Sequence, residues 1–575
     1  MDPTVLRELS RLDPTVPFRT FTGHIHHTWA QTFYSRPELY IRPQSITEIQ
    51  KVVNLARRSR RRLVVVGSGH SPSDLTCTSA WMVSLDDFNR IIDVDTKTGI
   101  VTVEAGIRLR DLGALLDDKY GLMLSNLGSI DSQSIGGVFA TGTHGSSLVH
   151  GLLSECIVSL TLMLANGQLV RCSTTNNQAL FRAALISLGA LGIVVEVSLR
   201  AEPSFKIAWK QVRRPLSSVL DEWSSGLWTS HEFVRVWWMP YQKSAIVWHA
   251  DKTDRPLMAP PENFFGGALG YHIYHNLLAL SNYFPRILPW VEWLVFGLQY
   301  GFRAEKTVSE AVEPARTGLL LNCLYSQFVN EWALPLEKGP EALTRLSAWL
   351  HGDYETARIP FPVENLWVHC PVEVRVTDTT RNKNPRPFLD PTSRDGPTLY
   401  LNATLYRPYH RDPPSKDRYY EAFEWLMREM GAKPHWAKNF KSTGQELREL
   451  YGGDMDEWLK VRHAVDAEGM FLGEWHYRTL ALSGDERHSG LPSAEPASLS
   501  LMEREKARQR ANLRGAGDGL EWIGDKRWKT ETGVAAILSS TREEKHTSIS
   551  PTTATSEESF DVLASGEASV IIPEP

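Results

Sequence analysis

The sequence predicts an α+β protein of two domains with a low-complexity tail, and three observations carry that expectation. Glycine-bearing segments recur before residue 205, at 67–73, 125–146 and 185–194, each beside an apolar strand or run. From about residue 206 the glycine loops stop, and Trp209, Trp223, Trp228, Trp237 and Trp238 crowd alternating strands such as 234–238 and 244–249. Beyond about residue 482, Ser, Glu, Pro, Thr and Arg dominate and apolar residues no longer cluster, so that stretch cannot bury a core. The expected divisions are an N-terminal extension (1–30), a first domain (31–205), a second α+β domain (206–430), a closing segment (431–481) and a disordered tail (482–575). Within the tail, Leu520-Glu521-Trp522-Ile523 is the candidate docking segment.

Residues 38–60 read as a strand and then a helix, with Ser45 and Glu48 as a capping box before Ile49, Val52, Val53 and Ala56 at helical spacing. The β-branched run 63–66 is a strand, and further strands are expected at 82–85, 91–95 and 100–105. Leu109, Leu112, Leu115 and Leu116 share one face of a helix from 109 to 119. Strands at 156–164 and 169–172 flank the hairpin turn Asn166-Gly167, and a buried strand begins near Ile193. Trp475-His476-Tyr477-Arg478 alternates and reads as a last strand.

With 575 residues, 42% hydrophobic, the chain has material for sizeable cores. A net charge of −5 argues against a general nucleic-acid binder. The five cysteines, Cys77, Cys156, Cys172, Cys323 and Cys370, are scattered, which suits a reduced intracellular protein. The N-terminus lacks the charged and apolar regions of a secretory signal. A Trp- and Tyr-rich apolar zone at 276–302 is broken by Pro285, Arg286, Pro289 and Glu292 and is too interrupted to span a bilayer. It reads equally as an interfacial membrane contact or as a packed helical hairpin.

The turn Gly67-Ser68-Gly69-His70-Ser71-Pro72-Ser73 leaves an apolar strand, a setting in which backbone N–H groups approach phosphate. A phosphate cradle has no need of an imidazole, so His70 implies a second task, either binding metal or bonding to a cofactor. A purely structural turn is the competing reading. The small residues of 135–146 suit backbone lying against a flat ligand, or else tight helix–sheet packing. His24, His26 and His27 look like metal ligands, but no acids stand near and no metal is assigned.

Six segments in one order carry a family resemblance: 66–74, Val103-Glu104-Ala105-Gly106, Ser125-Asn126-Leu127-Gly128, Gly142-Thr143-His144-Gly145, Pro371-Val372-Glu373-Val374-Arg375 and His435-Trp436-Ala437-Lys438. Over roughly residues 20–480 the chain resembles the sugar-1,4-lactone oxidases, the gulonolactone and arabinonolactone oxidase group of vanillyl-alcohol-oxidase-type flavoproteins. The resemblance implies a two-domain VAO/PCMH-type FAD-binding fold, with an α+β cap over the substrate and 431–481 completing the site. It implies FAD joined covalently through its 8α-methyl group to His70. Gly67, Ser68, Gly69, Ser71, Gly128, Ser129, Thr141, Thr143, His144, Gly145, Gly192 and Ile193 would then surround the pyrophosphate and ring. Gly128 stands where oxidase members carry glycine and a plant dehydrogenase relative carries alanine, which implies a path for O₂.

Residues 367–377 alternate, so Glu373 and Arg375 point to one face of a strand, an arrangement a surface ion pair would share. The resemblance assigns the pair to the substrate site. Arg375, supported by Lys438, would stabilise the negative charge of reduced flavin, and Glu373 would orient sugar hydroxyls. His369 and His435 are lesser candidates. The implied reaction oxidises an aldono-1,4-lactone at C2, with D-arabinono-1,4-lactone preferred, and reduces O₂ to H₂O₂. Alternatives are a lactone dehydrogenase passing electrons to a cytochrome, an alditol oxidase on the same fold, and a non-enzymatic flavoprotein. The implied location is peripheral on an intracellular membrane, mitochondrial as in fungal members or microsomal as in animal ones.

Overall fold

The first two sheets follow directly from the apolar runs in the opening third of the chain. In this computed structural model residues 1–482 are described, apart from 263, 304–307, 322, 370 and 383. The expected tail with its 520–523 segment, and Cys370, lie outside the described residues. A four-stranded sheet has the order Thr20–Phe21, Leu39–Ile41, Trp81–Ser84, Leu63–Val66, its last three strands parallel. Parallel strands covered on both faces need near-continuous apolar runs, and Leu63–Val66 supplies one. The helix Ile46–Arg58 buries Ile49, Val52, Val53 and Ala56. Ser45 Oγ accepts from Glu48 N–H at 3.2 Å, but the Glu48 carboxylate accepts from Gln44 N–H at 3.0 Å rather than closing the expected box on Ser45.

A five-stranded antiparallel sheet follows, in the order Leu169–Ser173, Ile157–Met163, Ile193–Arg200, Ile100–Glu104, Ile91–Asp95. The Asn166-Gly167 turn closes its edge hairpin, with Gly167 at φ +81°, a conformation open to a residue without Cβ.

The second body is an eight-stranded antiparallel sheet. Its order is Val308–Pro314, Lys206–Pro215, Ser244–Thr253, Phe233–Met239, Val372–Thr377, Thr398–Tyr406, Gln327–Pro335, Lys433–Pro434. One face buries Trp238, Trp332, Val374, Val376, Leu399 and Leu401 in a core shared with the helices Gly339–Leu350 and Lys416–Glu429. Because side chains alternate along a strand, Glu331, Glu373, Arg375, Tyr400 and Asn402 share the opposite face.

Residues after 440 return to the first core through the helices Gly444–Tyr451, Gly453–Val465 and Glu474–Leu480. The last of these replaces the strand expected at 475–478. Trp475, His476, Tyr477, Thr479 and Leu480 are all buried, so the alternation marked no solvent face. Gly473 N–H donates to His476 Nδ1 at 3.0 Å where the helix begins.

The apolar zone forms a hairpin of the helices Ala268–Ser281 and Leu288–Tyr300, built around Tyr274, Leu278, Val291 and Val295. It leaves Leu269, Tyr283, Phe284, Trp290, Trp293 and Leu298 exposed. Among the described residues no helix is long and apolar enough to cross a membrane. Glu292 is buried in this hairpin, accepts from Gln242 N–H at 2.8 Å, and is pushed up by burial to about 8. An acid whose folded pKa exceeds its unfolded value of about 4.3 binds more protons folded than unfolded. Stability therefore falls as pH rises from that unfolded value to about 8, and is flat above it. Glu292→Gln is expected to gain thermal midpoint over wild type as pH rises through this window. Scans at about pH 5 and pH 8.5 check it, and an equal difference at both would refute it.

Candidate active site

The strand Leu63–Val66 delivers the 67–73 turn to one wall of a cleft of about 1030 Å³, counting the open solvent at its mouth. Gly67, Ser68, Gly69, His70 and Ser71 line it with Gly106, Gln133, Ser134, Thr141, Gly189 and Gly192. Gly69 turns at φ +67°, a conformation that favours glycine, and a Cβ on Gly67 would stand 2.3 Å from Ser134 Oγ and displace that hydroxyl. Within the small-residue stretch 135–146, Ile135–Ala140 forms a short helix.

His70 is clamped in this wall. Its Nε2 lies 2.5 Å from Ser132 Oγ, and its ring stacks on Trp29 at 5.5 Å and 27°. Trp29 N–H in turn donates to Gly69 O at 2.7 Å. His70 Nδ1 is shielded from solvent and has no hydrogen-bond partner. Burial pushes the imidazole down to about 3, with Arg108 and Lys438 adding to the shift, so the ring is neutral near pH 7.

The second cluster centres on Glu331, which sequence reasoning missed. Its side chain is fully buried, 2.5 Å from Arg375 Nη2, 3.4 Å from Lys438 Nζ and 3.4 Å from His144 Nε2. Arg375 Nε lies 3.5 Å from Glu373 Oε2, and Arg375 Nη1 donates to Ser129 Oγ at 3.2 Å. Strand register builds the cluster, because Asn402 stands opposite both Glu331 and Glu373 while Tyr400 stands opposite Arg375. Burial raises the Glu331 carboxyl, but Arg375 and Lys438 outweigh it and hold the group well below the usual carboxylate range. Glu331 and Glu373 likewise overcome burial and raise Arg375. His144 stacks on Tyr400 at 3.5 Å, donates from Nδ1 to Gly145 O, and is lowered to about 4 by burial and Arg375.

The two clusters meet. Ser73 Oγ donates to Ala437 O at 3.2 Å, and Asn439 Nδ2 donates to Pro72 O at 3.2 Å, which sets Lys438 beside the His70 turn. Leu321 N–H donates to Ser129 O at 2.9 Å, tying the Ser129 loop to the connection that precedes Gln327–Pro335, and Ser147 N–H donates to Val376 O at 2.9 Å, fastening the 141–147 loop to the large sheet.

Gly128, Ser129, Thr143, His144 and Gly145 are absent from the cleft wall and stand on the Arg375 side. A Cβ on Gly128 would come 2.8 Å from Thr143 Cγ2, which gives that glycine a packing reason. Ile193 opens a central strand with its side chain buried in the core, while Gly192 before it and Val194 after it line the cleft. His369 Nε2–H donates to Tyr406 O at 3.0 Å, and His435 Nδ1 accepts from Ala437 N–H at 3.1 Å. His24, His26 and His27 do not converge: His24 stacks on Tyr40, His26 bonds Thr76 Oγ1, and His27 bonds Thr28 O.

Among the described residues, His144, Glu331 and His435 bring ligand atoms within 4.8 Å of one another. Arg375 and Lys438 already neutralise that carboxylate, and His435 Nδ1 is taken by backbone. The group is a charged hydrogen-bond network rather than a cation site. FAD fits the adjoining cleft on different grounds: a glycine-lined wall open to backbone approach, and a neutral imidazole with one buried nitrogen unclaimed.

Comparison with known proteins agrees with this geometry. Residues 37–173 match the FAD binding domain model, and residues 197–479 match the D-arabinono-1,4-lactone oxidase model. A Neurospora crassa relative is 52% identical over 547 residues, covering 91% of this chain and 96% of its own. D-arabinono-1,4-lactone oxidase of Yarrowia lipolytica is 41% identical, covering 78% and 95%. L-gulonolactone oxidase of Scyliorhinus torazame is 35% identical, covering 80% and 98%. In fold the chain is similar to cholesterol oxidase from Brevibacterium sterolicum, with a TM-score of 0.67 at 16% identity over 82% of this chain and 99% of that one. This chain belongs to the D-arabinono-1,4-lactone oxidase family, built on a two-domain FAD-binding fold.

Proposed function

We propose that the protein is an FAD-dependent aldono-1,4-lactone oxidase acting on D-arabinono-1,4-lactone at C2, with O₂ as acceptor and H₂O₂ and D-erythroascorbate as products. The observation that carries this reading is the buried Glu331–Arg375–Glu373–Lys438 network beside a cleft whose wall presents an unclaimed His70 nitrogen. FAD, when bound, supplies the two-electron acceptor. His70 attaches it through Nδ1, since Nε2 is engaged by Ser132. Arg375 and Lys438 place fixed positive charge where negative charge develops, in a site that excludes water. Glu331 holds both cations in position, and Glu373, bonded by Asn402 Nδ2 at 3.3 Å, keeps an unpartnered Oε1 for a lactone hydroxyl. Similarity to the fungal relatives favours the arabinono substrate, and the glycine at 128 favours O₂ over a cytochrome.

The test is acid denaturation of purified protein, followed by flavin fluorescence of the precipitated band and O₂ uptake with D-arabinono-, L-gulono- and L-galactono-1,4-lactone. Flavin is expected to stay in the wild-type band and to leave in His70→Ala. A wild-type protein that holds no flavin, or that bleaches with no lactone, would overturn the proposal.

We further propose peripheral attachment to an intracellular membrane, in our reading mitochondrial, through the exposed Tyr283, Phe284, Trp290 and Trp293 of the hairpin. Trp290→Ser with Trp293→Ser is expected to weaken co-sedimentation with phospholipid vesicles at least about tenfold, given the apolar area withdrawn. Unchanged sedimentation would remove this face from the membrane contact.

A further inference from the structure

We propose that Ser132 is the positioning residue for covalent attachment of FAD, fixing by its hydroxyl the ring tautomer in which His70 Nδ1 is the nucleophile. The inference rests on FAD attachment at His70, as proposed above.

Ser132 Oγ is the one hydrogen-bond partner of the His70 ring among the described residues, at 2.5 Å from Nε2. A hydroxyl can donate or accept, so this contact alone permits two tautomers. If Ser132 donated, the ring proton would sit on Nδ1, which is shielded and partnerless. A buried N–H without an acceptor is rarer and costlier than an under-used acceptor. Nε2–H therefore donates to Ser132 Oγ, and the Nδ1 lone pair is left free. The serine itself is held in place: Arg108 Nη1 donates to Ser132 O at 3.3 Å and Arg108 is paired with Asp86, while Trp29 stacks on the His70 ring. Ser132 is not among the residues that line the cleft, and its hydroxyl contacts His70, so it acts through His70 and not on the ligand.

In the attachment step the Nδ1–C8α bond forms and an 8α C–H bond breaks. The electron pair of that C–H bond passes into the flavin ring system, which is thereby reduced. Two protons are released, one from the 8α carbon and one from Nε2. O₂, the acceptor of the proposed activity, then takes two electrons and two protons to give H₂O₂ and restores the oxidised, attached cofactor. Once attached, Nε2 carries a lone pair, and the Ser132 hydroxyl reverses from acceptor to donor. Nearby Arg108 and Lys438 disfavour a lasting imidazolium, so Nε2 must shed its proton, and the Ser132 hydroxyl is placed to relay it, taking that proton on oxygen as it gives up its own.

Full-length wild type, Ser132→Ala, Ser132→Thr and His70→Ala would be purified, and total and acid-stable flavin measured for each. Ser132→Ala is expected to keep wild-type total FAD but to hold less than about a tenth of it covalently, the scale of a lost proton-transfer partner. Ser132→Thr, which retains the hydroxyl, is expected to recover acid-stable flavin, and digestion should place it on the His70 peptide. Acid-stable flavin in Ser132→Ala equal to wild type would overturn the role of Ser132 and leave His70 attachment standing. Loss of all FAD from both Ser132 variants would assign the residue to the fold and overturn the role as well. Wild type that binds FAD only reversibly would instead overturn the attachment on which the inference rests.

Discussion

Arg375→Met is expected to lower kcat by about 10²–10³-fold with FAD still bound, the scale of removing one fixed donor from a water-excluded site. The same substitution strips Glu331 of its 2.5 Å partner and leaves a fully buried carboxylate facing Lys438 at 3.4 Å. Breaking a buried pair on one side costs about 3–5 kcal/mol, because the surviving charge stays desolvated. The thermal midpoint should therefore fall with the rate. Adding Glu331→Gln to Arg375→Met removes that stranded charge and should restore much of the midpoint and none of the rate. Lactone turnover with a thermal scan of the four proteins in this cycle checks the claim. A double variant no more stable than Arg375→Met would show that Glu331 is not what Arg375 neutralises.

Glu331→Gln alone should act in the opposite electrostatic sense. Glu331 offsets Arg375 and Lys438, and buried Arg235 adds a further cation beside Glu373, so the amide leaves the pocket one charge more positive. A site with excess positive charge binds anions more tightly. Sulfite, which bleaches bound flavin, should bind Glu331→Gln at least about tenfold more tightly than wild type, and Arg375→Met correspondingly more weakly. The midpoint should fall in both variants, since each leaves a buried charge partly uncompensated. Equal sulfite affinity in all three proteins would place this network outside the electrostatic reach of the flavin.

The geometry behind these two results differs in how far it can be read from residue order. Glu373 and Arg375 share a face because alternation is a property of any strand. The chain 63–73 reads as strand then turn because β-branched residues run into Gly67 and Gly69, a local pattern. Glu331 carries no such mark: it is one acid in the strand Gln327–Pro335, 44 residues from Arg375. Its role depends on the order in which the strands Val372–Thr377, Thr398–Tyr406 and Gln327–Pro335 lie side by side and on their register. Ser132 is equally silent, 62 residues from the His70 ring it holds. At Trp475–Arg478 a four-residue alternation was too short to separate a strand from a helix in which Trp475, His476 and Tyr477 are all buried.

Residue order thus specifies what rests on neighbours a few positions apart: the glycine turn with its histidine, the co-facial Glu–x–Arg, the amphipathic helices and the apolar hairpin segments. It also carries the ordered motifs that assign the family. Packing settles which groups surround each charge. A carboxylate at Glu331 is held ionised only where two cations are brought to it, and a nitrogen of His70 is left unclaimed only where Ser132 takes the other. Those contacts join segments distant in the chain, and desolvation, which gives them their strength, exists only once the sheet and the loops have closed over them.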